Sequence, residues 1–228
     1  MAQIARQGSA SVRVKNPEAP RLAAALRAGD PSVDGIEDDA IVRGVRFDGA
    51  SFLAVEAEAV EVEGCRVGNS RFTGARLLRS QISDSRFDTC DFAEVSAQDV
   101  SMIRCEVVGS RFTGSSWQHG TFRDVRFENC VVAPALLRSM KLFAVTFSEC
   151  RMTGVDFQRA EMHNVRFENC DLTGAQFAGV KAGSLRFENC TLIDIGGAAS
   201  LRGAVVQGPG SMELALSLAR EAGITFEP

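Results

Sequence analysis

Seven cysteines and two histidines are the residues of this 228-residue chain best suited to chemistry, and both sets are spaced wrongly for it. Zinc sites draw closely paired cysteines from one turn, as in C-x2-C, whereas the nearest pair here, Cys90 and Cys105, stands fifteen residues apart. His119 and His163 fall in no H-E-x-x-H or related spacing. No G-x-x-x-x-G-K-[ST] phosphate loop, no helix-opening G-x-G-x-x-G and no G-x-S-x-G nucleophile turn occurs. A nucleophilic thiol needs an accessible, electropositive setting, and the pattern that holds the cysteines turns every one of them inward. The expectation is a protein that is not an enzyme, with no catalytic residues, no metal and no cofactor.

That pattern has a period of five. Every fifth residue from Phe47 to Leu192 is apolar, without a slip and without a charge. Two residues before each stands a second, smaller, uncharged series, which includes Val45, Ala50 and all the cysteines from Cys65 to Cys190. Such spacing fits neither the 3.6 of an amphipathic helix nor the 2.0 of a strand, so it is a repeat. A longer period lies over it: RFDTC at Arg86 to Cys90 and RFENC at Arg126, Arg166 and Arg186 recur at multiples of twenty, as do the T-G units at Thr73, Thr113, Thr153 and Thr173. Four five-residue sides therefore make one coil. Each side turns two residues in and three out, and no side buries its apolar residues unless coils stack. At a strand spacing of roughly 4.8 Å, about seven and a half coils give a rod on the order of 36 Å long.

On these residues the chain resembles the pentapeptide-repeat proteins, whose consensus is close to A-[DN]-L-x-x. The resemblance covers roughly residues 41 to 206 and implies an all-β solenoid: a right-handed quadrilateral parallel β-helix with a tight turn at each corner. The centre here is more often Phe than Leu. The residue before it is frequently Arg, as at Arg46, Arg66, Arg71, Arg111 and Arg151, where the family favours Asp or Asn.

Both ends read as caps. Residues 1–40 form an N-terminal extension, polar at first, in which Pro20 and Gly29 bracket a predicted short helix over 20–28. Residues 207–228 follow the Gly208-Pro209-Gly210 break with a helix from Met212 to Ala222, N-capped by Ser211 and closed by Gly223. Glu213, Ser217, Arg220 and Glu221 make one narrow polar stripe on it. Met212, Leu214, Ala215, Leu216, Leu218, Ala219 and Ala222 leave most of its circumference apolar, which predicts one side against the last coil and another against a second subunit, giving a two-fold homodimer. The segment also resembles the alanine- and leucine-rich C-terminal helix of the mycobacterial gyrase-directed members of the family.

Function must then live on outward positions. A net charge of −4 announces no nucleic-acid partner. The first twenty residues hold no signal-type apolar run, and nothing later is long enough to span a membrane, so no membrane partner and a cytoplasmic location are expected. Arg and Asp/Glu stripes flank each other on the RFENC side, as a salt-bridged face would. Acidic residues gather at Glu56, Glu58, Glu61 and Glu63 and again at Asp84, Asp88, Asp91, Glu94 and Asp99. Val131, Leu136 and Phe143, outward within one coil, predict an apolar patch, which the N-terminal segment or a partner would cover. The resemblance implies a DNA-mimicking modulator of DNA gyrase or topoisomerase IV that protects against quinolones or toxins. The alternative is a general protein-interaction scaffold with an unknown partner.

Overall fold

The computed structural model describes residues 14–226. The polar start of the N-terminal extension, residues 1–13, lies outside them.

Residue i pairs in parallel with residue i+20 around a four-sided coil. Ser101–Val108, Thr121–Glu128, Lys141–Ser148 and Glu161–Glu168 are strands that each turn one corner and stack in register, Phe127 on Phe147 on Phe167. The side at Ser96–Gln98 and Ser116–Gln118 pairs the same way, and the remaining side is joined by isolated bridges such as Arg111↔Val131. One side carries ten strands in succession, from Arg27–Ala28 to Val205–Gln207. Nine rises of about 4.8 Å make that side roughly 43 Å long, longer than the repeat alone predicts because a strand is added at each end.

Nearly every corner uses the residue two after the central apolar one, held at positive φ; Pro134 and Ser184 are the exceptions. Glycine fills several of these positions, but Arg104, His119, Asp124, Ala144 and Asn164 adopt φ of 50 to 61° as well. Asn129, Asn169 and Asn189 occupy these left-handed corners too, which Asn tolerates well.

The two inward series form the core. Phe127, Phe147, Phe167 and Phe187 stack with ring centroids 4.8 to 5.2 Å apart, and Phe52, Phe72, Phe92 and Phe112 make a second column at 4.9 to 5.2 Å. The narrower series has a polar duty too. Ser70, Ser80, Ser85 and Ser110 accept a backbone N–H from the preceding coil at 2.9 to 3.1 Å and donate to the carbonyl two residues back. Each cysteine thiol lies against the corresponding carbonyl, as Cys170 Sγ does at 3.3 Å from the Glu168 oxygen.

The ends differ from expectation. No helix forms over 20–28: residues 15–21 run along one corner of the rod, the chain bends at Ala24–Ala25, and Arg27–Ala28 joins the sheet beside Val45–Arg46. At the other end helix α1 (Gly210–Glu221) has Pro209 rather than Ser211 as N-cap. Ser211 sits in its first turn and donates to the Gly208 carbonyl. Gly223, at φ 80°, and Ile224 close it by donating to the Arg220 and Ala219 carbonyls.

Candidate interaction surfaces

The register decides where every outward side chain stands. On the RFENC side, Arg86 pairs with Asp88 at 2.9 Å and Glu106 at 2.7 Å, Arg166 with Glu168 at 2.8 Å, and Arg186 with Glu188. The carboxylate two residues on neutralises each of these arginines along its own strand, which answers the like-charge stacking of the stripe.

The nine acidic residues singled out in the sequence do not form one face. Glu56 and Glu58 lie on one side, Glu61 and Glu63 on the next, Asp88 and Asp91 on the other two, and Asp84, Glu94 and Asp99 at three corners. Most are paired: Glu56 with Arg76 at 3.3 Å, Glu58 with Arg79, Glu61 and Glu63 with Arg43 at 2.9 Å, Asp84 with Arg104 at 2.6 Å and Asp91 with Arg111 at 2.6 Å. The Arg104 guanidinium holds the Asp84 carboxyl below the usual carboxylate range. Glu94 and Asp99 form no salt bridge among the described residues.

The apolar patch is not formed. Val131 and Phe143 belong to opposite sides of the coil, and Leu136, 36% exposed, to the side between them. Residues of one coil share a face only if they share a side, and these do not. Phe143 is half-buried between the Arg123 guanidinium, 5.0 Å from its ring, and the His163 ring, stacked at 5.3 Å.

Helix α1 is turned opposite to the sequence expectation. Its polar stripe faces the solenoid, where Glu213 accepts the Leu192 N–H at 2.5 Å and Glu221 accepts those of Ala198 and Ala199 at 2.8 and 3.0 Å. Arg220 meets Asp194 at 2.5 Å and Ser217 is buried. The last coil has no next coil to take its N–H groups, so carboxylates take them. Gly210 permits the approach, since a Cβ there would lie 2.3 Å from the Cys190 carbonyl. Leu214 packs on the solenoid and Ala219 is half-buried, which removes Leu214 from any second interface. Met212, Ala215, Leu216, Leu218 and Ala222 stay exposed, joined by Ile224 and Phe226, which the sequence reading did not single out.

That reading also missed the corner residues Asp84, Asp124 and Asn164 as acceptors for the N-terminal segment. The Arg21 N–H donates to Asp84 at 3.1 Å, the Glu18 N–H to Asp124 at 3.2 Å, and the Lys15 N–H to Asn164 at 2.5 Å. The Asn164 amide donates back to the Lys15 carbonyl at 2.9 Å. The available signal was the pair Pro17 and Pro20, three residues apart.

Among the described residues no cluster of His, Cys, Asp and Glu is arranged to hold a metal, and no helix is long and apolar enough to cross a membrane. Burial pushes the Cys90 thiol up to about 11 and the Cys105 thiol up to about 12.

The pentapeptide repeat region family matches residues 120–195. No curated protein matches the chain. Among solved structures, QnrB1 in a trypsin-treated form, a plasmid-mediated fluoroquinolone resistance protein, is 16% identical with a TM-score of 0.48 over 90% of this chain and 100% of its own. HetL from the cyanobacterium Nostoc, a pentapeptide repeat protein involved in heterocyst differentiation regulation, is 15% identical with a TM-score of 0.31, over 76% of this chain and 93% of its own. A pentapeptide repeat protein of the Arabidopsis thaliana thylakoid lumen is 20% identical with a TM-score of 0.39, over 41% of this chain and 65% of its own. The match over residues 120–195 marks that stretch as a pentapeptide repeat region, and the same five-residue register and four-sided coil continue on either side of it.

Proposed function

We propose that this chain is a non-enzymatic binding protein that works through the outer surface of a rigid rod. The observation that carries the reading is the division of labour along the rod, whose chemically reactive side chains, the thiols, are spent on the core while many of its outward charges are paired with one another. Within it, the resemblance to quinolone-protecting relatives points to DNA gyrase or topoisomerase IV as the partner, met as a duplex mimic. A supercoiling assay with each enzyme, with and without a quinolone, tests it: protection by micromolar protein supports the reading, and no effect on either enzyme removes it.

A specific observation favours the second reading, a scaffold for another protein. A duplex presents one phosphate per roughly 1.7 Å, whereas the carboxylates here are spread over four sides and mostly held by arginines. Competition with duplex DNA for a basic probe, measured across a salt series, separates the two, because a mimic displaces DNA with a steep salt slope and a scaffold does not.

The rod is proposed to be a cytoplasmic homodimer joined through α1. Met212, at 68% exposed, Leu216, Leu218 and Phe226 form an apolar surface beside a helix already anchored by its polar stripe. Sedimentation of the Met212→Glu/Leu216→Glu double variant should give half the mass of the unsubstituted chain; the same mass for both defeats the dimer.

A further inference from the structure

We infer that the corner ladder Asp84, Asp124 and Asn164 is a docking track for a polyproline II segment of another protein, occupied in cis by residues 15–21. The three acceptors stand forty residues apart in sequence, which is two coils, or about 9.6 Å along the rod. The three donors that meet them, the N–H groups of Lys15, Glu18 and Arg21, stand three residues apart. A polyproline II helix has three residues per turn and rises about 9.3 Å in that turn. The two pitches match, so a ligand of this form presents one N–H to the ladder at every turn.

Pro17 and Pro20 lie between the donors, where a missing N–H costs nothing, and their rings hold the extended backbone. The grip is on the backbone of the ligand. Its side chains remain open to solvent, as the 69% exposure of the Arg21 side chain shows. The charges beside the ladder are already matched: Arg104 is paired with Asp84 at 2.6 Å, and Glu18 with Arg21 of its own segment at 3.4 Å. Farther along, Arg166 donates to the Val14 carbonyl at 2.9 Å. The recognised segment is therefore proline-punctuated, with a free N–H at every third residue.

The test keeps the whole chain. Pro17→Gly/Pro20→Gly loosens the cis segment and leaves the ladder intact, and Asp124→Ala/Asn164→Ala removes two acceptors at corners whose positive φ alanine already adopts at Ala144. Trypsin should cut after Arg21 at least tenfold faster in either variant than in the unsubstituted chain, with unchanged circular dichroism. A fluorescent peptide VKNPEAPRLAA should bind the proline variant at least tenfold more tightly than the unsubstituted chain. It should not bind a variant carrying all four substitutions. The peptide VKNPPAPRLAA, which keeps the polyproline form but lacks the central N–H, should not bind either. Equal binding of the two peptides, or equal binding with and without the ladder, overturns the track. A dimer of the proline variant that depends on the ladder overturns the assignment to another protein, since the occupant is then the segment of a second copy.

Discussion

Phe143 and Phe147 stand four residues apart on one strand and divide the two roles a side chain has in this coil. Phe147 is 1% exposed in the ring column, so Phe147→Asp would bury an unpaired carboxylate at a cost of several kcal/mol and abolish the folded state. Phe143 lies outside between Arg123 and His163, and its cation–π and stacking contacts contribute about 0.5–1.5 kcal/mol. Phe143→Asp should therefore leave the circular dichroism spectrum unchanged and lower the melting temperature by only a few degrees. Serine and cysteine share one slot of the narrower column because both place a small polar atom where a buried N–H of the preceding coil needs an acceptor. The thiols add a pH dependence. Burial raises Cys90 from 9.0 to about 11 and Cys105 from 9.0 to about 12. The unfolded chain therefore loses these protons first, and the stabilisation is complete below pH 9 and falls away as the pH rises towards 11 to 12. Denaturant melts should show a loss of roughly 3 kcal/mol per thiol across that window, and Cys105→Ser should flatten the curve.

At the scale of the element, the ends of the solenoid need more explanation than its middle. A strand in the middle has a coil on either side to take its N–H and C=O groups, and the last coil has one. Glu213 and Glu221 of α1 supply acceptors there, and each substitution to Ala leaves one or two backbone donors without a partner. Unfolding should cost about 1–3 kcal/mol less in Glu213→Ala, and similarly in Glu221→Ala, as read from chemical denaturation. Met212→Ala, on the exposed side of the same helix, should change monomer stability by less than about 0.5 kcal/mol. Equal effects from the two hydrogen-bonded carboxylates and the exposed methionine would mean that the helix does not cap the coil. The N-terminal segment solves the matching problem differently: Arg27–Ala28 adds a strand to one side of the first coil, and the run before it is tied to the corner.

Over the whole molecule the core is uneven. Between Met140 and Leu192 most inward residues are completely buried, with Leu142, Met152, Phe157, Met162, Phe167 and Leu172 all at 0% exposed. In the first coils the central column holds Ala57, Val62 and Val67 where most later coils hold a larger residue, and a cavity of about 50 Å³ remains among Phe47, Val60, Val62, Val67 and Leu77. Its lining is apolar, so it stays dry and its walls lose contacts. In a solenoid each coil contacts only its neighbours, and local differences of this kind persist as local stability. Native-state hydrogen exchange should find the amides of 61–88 opening at lower free energy than those of 141–168. Val67→Leu, which adds one buried methylene beside the cavity, should raise stability by about 0.8 kcal/mol and slow exchange in the first coils. Uniform exchange along the rod would contradict this gradient.

The amino-acid sequence determined the coil. A five-residue alternation of large and small apolar residues, sustained from Phe47 to Leu192, is satisfied only if four sides close and stack, so the register, the inward cysteines and the salt-bridged RFENC side were all legible from residue order. Which residues share a face depends on where twenty-residue coils fold their corners, and this separated Val131 from Phe143 and scattered the acidic residues around the rod. The ends depended on tertiary structure most of all. The pattern Glu213, Ser217, Arg220 and Glu221 looks like a solvent face until the unpaired N–H groups of Leu192, Ala198 and Ala199 are placed opposite it, and the run around Pro17 and Pro20 gains meaning only beside Asp124 and Asn164. Local sequence encodes propensity and period, whereas an orphaned backbone group is created by the fold and recruits its partner from wherever the chain happens to bring one.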